Sequence, residues 1–297
     1  MNKAEYLDQG DVKEFLEFFG RCLHFLEVDY TTSFNKIRPA DRHFHVTGAN
    51  AACLHYAWPS VDTYTGHPIY DWTGTLQFLN TTRIVLQHSI AIGDDFATWN
   101  TVEKILRWGL NPNAVAANLI QLRQICPAGG QSICTYLVNI SAALALNTAN
   151  TSNINAALIP FASSGMSKVH SLASADALVI FDSRVAATLG ECINEYLRRV
   201  RAVNIPDSLK IFRATGRSPL PLQNGTNHPL FVRNHLWIEC QVRVSWLFEA
   251  ALTKNQNIFP GLSMPERMHR LEAAFFMKGA YLTPGPFAGR SFNFERV

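Results

Sequence analysis

The sequence predicts an all-α, mainly helical protein. Apolar residues recur at three- and four-residue spacing in one segment after another, which lines one face of a helix. Runs of Val and Ile with period two, the mark of half-buried strands, are nearly absent. Capping and stop residues stand where the helical runs begin and end.

The elements follow in chain order. Residues 11–28 predict an amphipathic helix with Asp11 as cap, its apolar face made by Phe15, Phe18, Phe19, Cys22, Leu23 and Leu26. Residues 29–75 read as a long irregular segment with at most short strands, punctuated by Gly48, Pro59, Gly66 and Pro68. Helices are expected over 74–92, over 98–109 with Gly109 as stop, and over 111–125, where Asn111 precedes Pro112. Pro127, Gly129 and Gly130 break the chain before a further apolar helix within 131–150. The polar run 147–155 suggests a division near 150, between an N-terminal helical subdomain, 1–150, and a C-terminal one, 151–297. A short helix is expected over 153–160. After Asp182 a stripe of Val185, Leu189, Cys192, Ile193, Tyr196 and Val200 faces the core, with Arg184, Thr188, Glu191, Glu195 and Arg198 opposite. Residues 204–233 are loop-like; long helices follow over 233–254 and 263–282, the last with Ser263 as cap and Gly279 as stop. The glycines from 279 to 289 read as turn residues.

Composition narrows the classes. The chain has 297 residues, of which 47% are apolar and 16% charged. It can therefore bury a large core and is not a disordered protein. The six cysteines form no C-x-x-C pair and no zinc or disulfide framework, which suits a reducing cytoplasm. The first residues lack a signal-peptide core, and the most apolar stretch, 135–149, is too short to span a bilayer. His43, His45, His228 and His235 lack a third ligand at a fixed spacing, so no metal is expected. There is no P-loop, no G-x-G-x-x-G and no G-x-S-x-G. Net charge is +3, yet residues 184–243 hold nine Lys or Arg against four acids, a balance suited to phosphates, with Arg198, Arg199 and Arg201 clustered.

One stretch carries chemistry: "GMSKVHSLASADALVIFDSRVAATLG", residues 165–190. Ser163, Ser164 and Gly165 predict a tight turn. A helix from about 167 to 175 would rise roughly 12 Å. The extended run 177–181 can return over roughly 16 Å, which brings Asp182 back toward the level of Lys168. Asp182 then caps the next helix, where the amides and the dipole favour its charged form. On the residues alone, Asp182 as a plain cap and Lys168 as a surface lysine is the competing account.

The pattern G-M-S-K-V followed by F-D-S-R-V-A resembles the catalytic core of the helix-hairpin-helix DNA glycosylase superfamily. It is most similar to bacterial members with the 8-oxoguanine glycosylase fold. The likeness covers about thirty residues; "SSGMS" stands where the family has two glycines, and the lysine-to-aspartate interval is shorter. The resemblance implies a helix-hairpin-helix-like element around 160–190 and two helical subdomains with a DNA-facing cleft. By the same likeness Lys168 matches the Schiff-base nucleophile and Asp182 the carboxylate that stabilises positive charge on the sugar. Gly165 and Met166 match the hairpin turn whose amides bind a DNA phosphate, and Arg184 follows in the same motif. Trp72 and Trp99, with Tyr70, Trp237 and Trp246, are candidates for a base pocket or wedge. The expected function is a DNA N-glycosylase that excises a damaged or modified base, with lyase chemistry where the lysine attacks, in base-excision repair or anti-phage defence. No cofactor is expected, and the partner is duplex DNA with a flipped base. A non-catalytic DNA-binding or interaction module is the alternative.

Overall fold

The computed structural model describes residues 1–31, 43–126, 130–213, 221–222, 224–230 and 235–279. These residues form eleven α-helices and four short strands, a mainly helical chain. Among them, no helix is long and apolar enough to cross a membrane. The breaks expected at 127 and 129, Arg217, Arg233 and the glycines beyond 279 lie outside the described residues.

The chain forms two compact units, each assembled from separated segments: Met1–Lys3, Trp58–Phe181 and Arg233–Val242 in the first, Ala4–Ala57, Asp182–Val232 and Arg243–Val297 in the second. The polar run 147–155 is therefore not a division. It lies inside the first unit, where Asn150 forms an isolated bridge with Asn2.

The first unit is a helical bundle with a two-stranded ribbon, β3 (Ser60–Val61) and β4 (Pro68–Ile69). Its helices are α4 (Trp72–Ala91), α5 (Asp95–Gly109), α6 (Pro112–Ile125), α7 (Ile133–Ala143) and α8 (Ser164–Ala173). Helix α5 packs against each of the other four, and its Val102, Ile105 and Leu106 are fully buried. Each start is fixed by a side chain accepting a backbone N–H: Asp71 from Gly74, Asp94 from Ala97, Asn111 from Ala114, Ser132 from Thr135 and Ser163 from Met166. No helix forms over 153–160. A 3₁₀ turn at Thr151–Asn153 is followed by a turn in which Asn155 accepts the amides of Ala157 and Leu158, so local side-chain bonds replace the helical ladder.

In the second unit α1 (Lys3–Leu7, all but its first residue) and α2 (Gly10–Cys22) precede a hairpin of β1 (Glu27–Thr31) with β2 (His43–Thr47) and a short α3 (Ala49–Leu54). Asp11 lies in the first turn of α2 rather than at its cap, and Leu26 lies beyond its end. Helix α9 (Ser183–Arg199) packs on α11 (Met264–Gly279) and α2, while α10 (His235–Lys254) gives its first residues to the first unit and the rest to the second. The core is aromatic: Phe19, Phe248 and Phe275 meet pairwise with ring centroids 5.0 to 6.0 Å apart.

The polar face expected on α9 does not look onto solvent. Thr188 and Glu191 are as buried as Val185, Leu189, Cys192 and Ile193, Arg184 nearly so, and Glu195 and Arg198 are half-buried, whereas Val200, expected on the core face, is 51% exposed at the C-cap, where the helix ends. The reason is α11: Thr188 donates to the Phe275 carbonyl at 2.8 Å, and the Arg184 guanidinium lies 4.4 Å from the centre of the Phe276 ring. At the other end of α11, Arg267 donates to the carbonyls of Ile258, Leu252 and Asn255, satisfying oxygens around the end of α10. All six cysteines are buried free thiols.

Two buried histidines make stability depend on acid. His170 of α8 is fully enclosed, with its Nε2 3.3 Å from the Tyr136 hydroxyl, and burial pushes its pKa down to about 3. His228 accepts the Ile211 amide on Nδ1 at 3.2 Å, and burial pushes it down to about 3 as well. An unfolded histidine takes up a proton near pH 6.5, and the folded ones do not. Stability is therefore complete above about 6.5 and falls as pH drops toward 3, by about 1.4 kcal/mol per pH unit for each histidine. His170→Gln should reduce the slope of unfolding free energy between pH 6.5 and 4 by about one proton, whatever its effect at pH 7. Denaturant unfolding at several pH values measures this; an unchanged slope would mean that His170 is protonated in the folded protein.

Candidate active site

The motif begins at Ser163. Its hydroxyl accepts the Met166 amide at 3.0 Å and donates to Asn118 Oδ1 at 2.6 Å, so α8 starts at Ser164, three residues before the expected start. Gly165 and Met166 consequently lie in the first turn of a buried helix, not in a turn before it. A Cβ on Gly165 would fall 2.7 Å from Leu110 Cδ1 and 3.0 Å from both Asn118 Oδ1 and Leu106 Cδ2. The glycine serves close packing of α8 on α5 and α6, and the Met166 amide is taken up by the cap.

Beyond Ala173 the chain leaves the helix. Residues 177–181 are non-helical and all buried. Buried backbone carbonyls need partners, and here side chains supply them. Ser167 donates to Phe181 at 3.0 Å and Ser171 to Leu178 at 2.6 Å. Gln241 of α10 donates through one amide nitrogen to Val179 at 2.7 Å and Ser167 at 2.9 Å. These bonds lay the return segment antiparallel along α8, with Phe181 level with Ser167. Phe181 packs on Trp237, ring centroids 4.7 Å apart.

Lys168 is 5% exposed and donates from Nζ to the Ser164 carbonyl at 3.2 Å. Its stem lies across the end of α5: a Cβ on Gly109 would sit 2.5 Å from Lys168 Cε and 2.6 Å from Cδ. The residue before that glycine, Trp108, stacks on Phe78 at 5.5 Å, and Phe78 meets Tyr64, whose ring holds the Lys104 ammonium at 3.7 Å. Burial raises the Tyr64 phenol above its ordinary pKa. Trp72 is buried at the start of α4 and Trp99 is half-buried on α5, while Trp237 and Trp246 are core. Ser167, Ser171, Gln241 and Gly109 escape a reading by motif. Their only signal is a pair of serines one turn apart, i and i+4, opposite a buried extended run.

Asp182 is the first residue of its segment in the second unit and is 8% exposed. Its backbone is extended, and its Oδ1 accepts the amides of Arg184 at 2.9 Å and Val185 at 3.1 Å, as the sequence predicts for the cap of α9. The first turn of α9 is held by Gly279, now seen as the last residue of α11 rather than a turn residue. A Cβ there would fall 1.9 Å from the Arg184 carbonyl oxygen.

Much of the basic segment is internally paired. Arg198 and Arg199 both bind Glu195, Lys210 binds Asp207, Arg213 binds the His228 carbonyl and Arg243 the Asp207 carbonyl. No group of three or more metal-ligating side chains occurs among the described residues. The chain matches no family model, no curated protein and no solved structure.

The two close-approach glycines should respond oppositely to alanine. Gly279→Ala drives a methyl into a backbone oxygen and should cost about 3 kcal/mol or more. Gly109→Ala meets only a flexible lysine stem and should change stability by no more than about 1 kcal/mol, since alanine is the better helix former. Denaturant midpoints decide it; equal losses would mean that Lys168 is held as rigidly as the backbone.

Proposed function

We propose that the protein is a DNA N-glycosylase that removes a damaged or modified base, in repair or in anti-phage defence, through a helix-hairpin-helix-like element at 160–190 and a DNA-facing cleft. One observation carries the reading: a lysine on α8 is followed by an antiparallel return that ends in an aspartate capping α9. A plain connection does not require a lysine inside a packed helix or a carboxylate after five buried residues.

The chemistry is that of glycosyl transfer. The C1′–N bond breaks, its electron pair leaves with the base, and positive charge develops on the sugar. The Asp182 carboxylate stabilises that charge. The Lys168 amine donates its lone pair to C1′, loses a proton and forms an imine as the sugar ring opens. Arg184 and the aromatic residues Trp72 and Trp99 are the proposed substrate contacts, and no cofactor is required.

A second reading has an observation of its own. Lys168 and Asp182 are only 5% and 8% exposed, whereas a reacting sugar needs access. A chain that keeps the element but never opens it would bind DNA without cutting.

Borohydride trapping on duplexes carrying a panel of damaged or modified bases separates the two. Asp182→Asn should keep the cap, because Asn accepts the same amides, and should lower excision by about a hundredfold or more because the charge is gone. Lys168→Gln should abolish the trapped complex and leave DNA binding intact. Excision without trapping would assign the attack to water. Full excision in Asp182→Asn would overturn the assignment, and binding with no excision of any base would favour the non-catalytic module.

A further inference from the structure

We propose that a pocket at the C-terminal end of α9 binds a phosphate group carried on an organic body of nucleotide size. The pocket holds about 310 Å³ and is lined by Arg198, Arg201, Ala202, Val203 and Asn224, all in the second unit. It does not use Lys168 or Asp182, so it stands whether or not the protein excises bases.

Helix α9 ends in a Schellman motif. The Arg201 amide donates to the Arg198 carbonyl at 3.1 Å and the Ala202 amide to the Leu197 carbonyl at 2.8 Å. The motif places Arg201 at φ 56°. This is the left-handed position where glycine is the usual occupant. An L-residue there is strained, and the residue present is an arginine whose side chain lines the pocket. Its guanidinium makes no hydrogen bond or ion pair among the described residues, unlike Arg198 and Arg199, which share the single carboxylate of Glu195. The pocket therefore carries net positive charge, and two of the carbonyls at this helix end, those of Leu197 and Arg198, are occupied by the motif itself.

The walls are preset. Asn224 donates to the Val203 carbonyl at 2.6 Å and accepts the Thr226 amide at 2.9 Å, while Arg198 reaches the Pro221 carbonyl at 3.2 Å. These bonds tie the helix end to Pro221 and to the turn at 224–226. Ala202 and Val203 give an apolar wall, and Val203 is 67% exposed. A guanidinium fork beside an apolar wall suits a phosphate with an apolar or planar body attached. Two sources share this chemistry, a free nucleotide and a phosphate of a nucleic-acid strand.

The test titrates the full chain with deoxyadenosine monophosphate, with deoxyadenosine and with a short single-stranded oligonucleotide, read by calorimetry. Arg201→Gly removes the guanidinium and supplies the residue the backbone prefers, so it should fold with an equal or higher Tm. It should weaken monophosphate binding by about tenfold or more, and Arg201→Lys should retain part of it. Deoxyadenosine should not bind. Strand binding with the same Arg201→Gly loss identifies a strand phosphate as a source; monophosphate binding alone identifies a free nucleotide. No monophosphate binding at about 10 mM, equal binding by deoxyadenosine, or an Arg201→Gly variant that binds as the parent does would overturn the proposal.

Discussion

Five consecutive apolar residues, 177–181, run non-helical and buried through the interior of a helical protein, outside any strand, and the backbone there must still find hydrogen bonds. The carbonyls of Leu178, Val179 and Phe181 are met by Ser171, Gln241 and Ser167. An unsatisfied buried carbonyl costs on the order of 1–3 kcal/mol, so this is a large fraction of a domain's net stability concentrated in three side chains. Because the bonds come from specific positions on α8 and α10, they also fix the register of the return. A slip by one residue would break all of them together. The level at which the chain leaves for α9 is thus set by two serines and a glutamine.

The same dependence on close contact appears at the glycines. Gly165 lets α8 approach α5 and α6, Gly109 leaves room for the Lys168 stem, and Gly279 lets α11 reach the backbone of α9. Three helix contacts around the motif therefore depend on absent side chains. They differ in what stands opposite: a packed leucine and an asparagine, a flexible lysine, and a rigid carbonyl. The cost of a methyl group follows how far the neighbour can yield, least at the lysine and most at the carbonyl, rather than the amount of burial.

Charge in the second unit is largely consumed within the fold. Helix α9 looks amphipathic from its composition, yet α11 covers its polar side. Arg184 lays its charge on the face of Phe276, and Arg198 and Arg199 balance one glutamate. Among the described residues of this segment, Arg184, Arg198, Arg199 and Lys210 thus have their charge engaged within the fold. Arg201 stands apart: it sits at the left-handed position that ends α9 and shares in none of these pairings.

What the sequence by itself determined was local. The caps at Asn111 and Asp182, which the sequence predicts, act within three residues of themselves, and a single chain carries that information completely. The predominance of helix and the break from helix at 177–181 were legible for the same reason. Tertiary structure decided the rest. The two units interleave distant segments, so no polar run in the sequence marks their division. Thr188 and Arg184 of α9 are met by α11, some ninety residues away, and hydrophobic periodicity cannot register a partner that covers a polar face. Gly109 ends α5 as the sequence predicts, but its approach to Lys168, like that of Gly165 to α5 and α6, is a property of two surfaces that one segment does not carry. Lys168 shows the limit most plainly: its place in the motif is legible, but its burial is set by the end of α5.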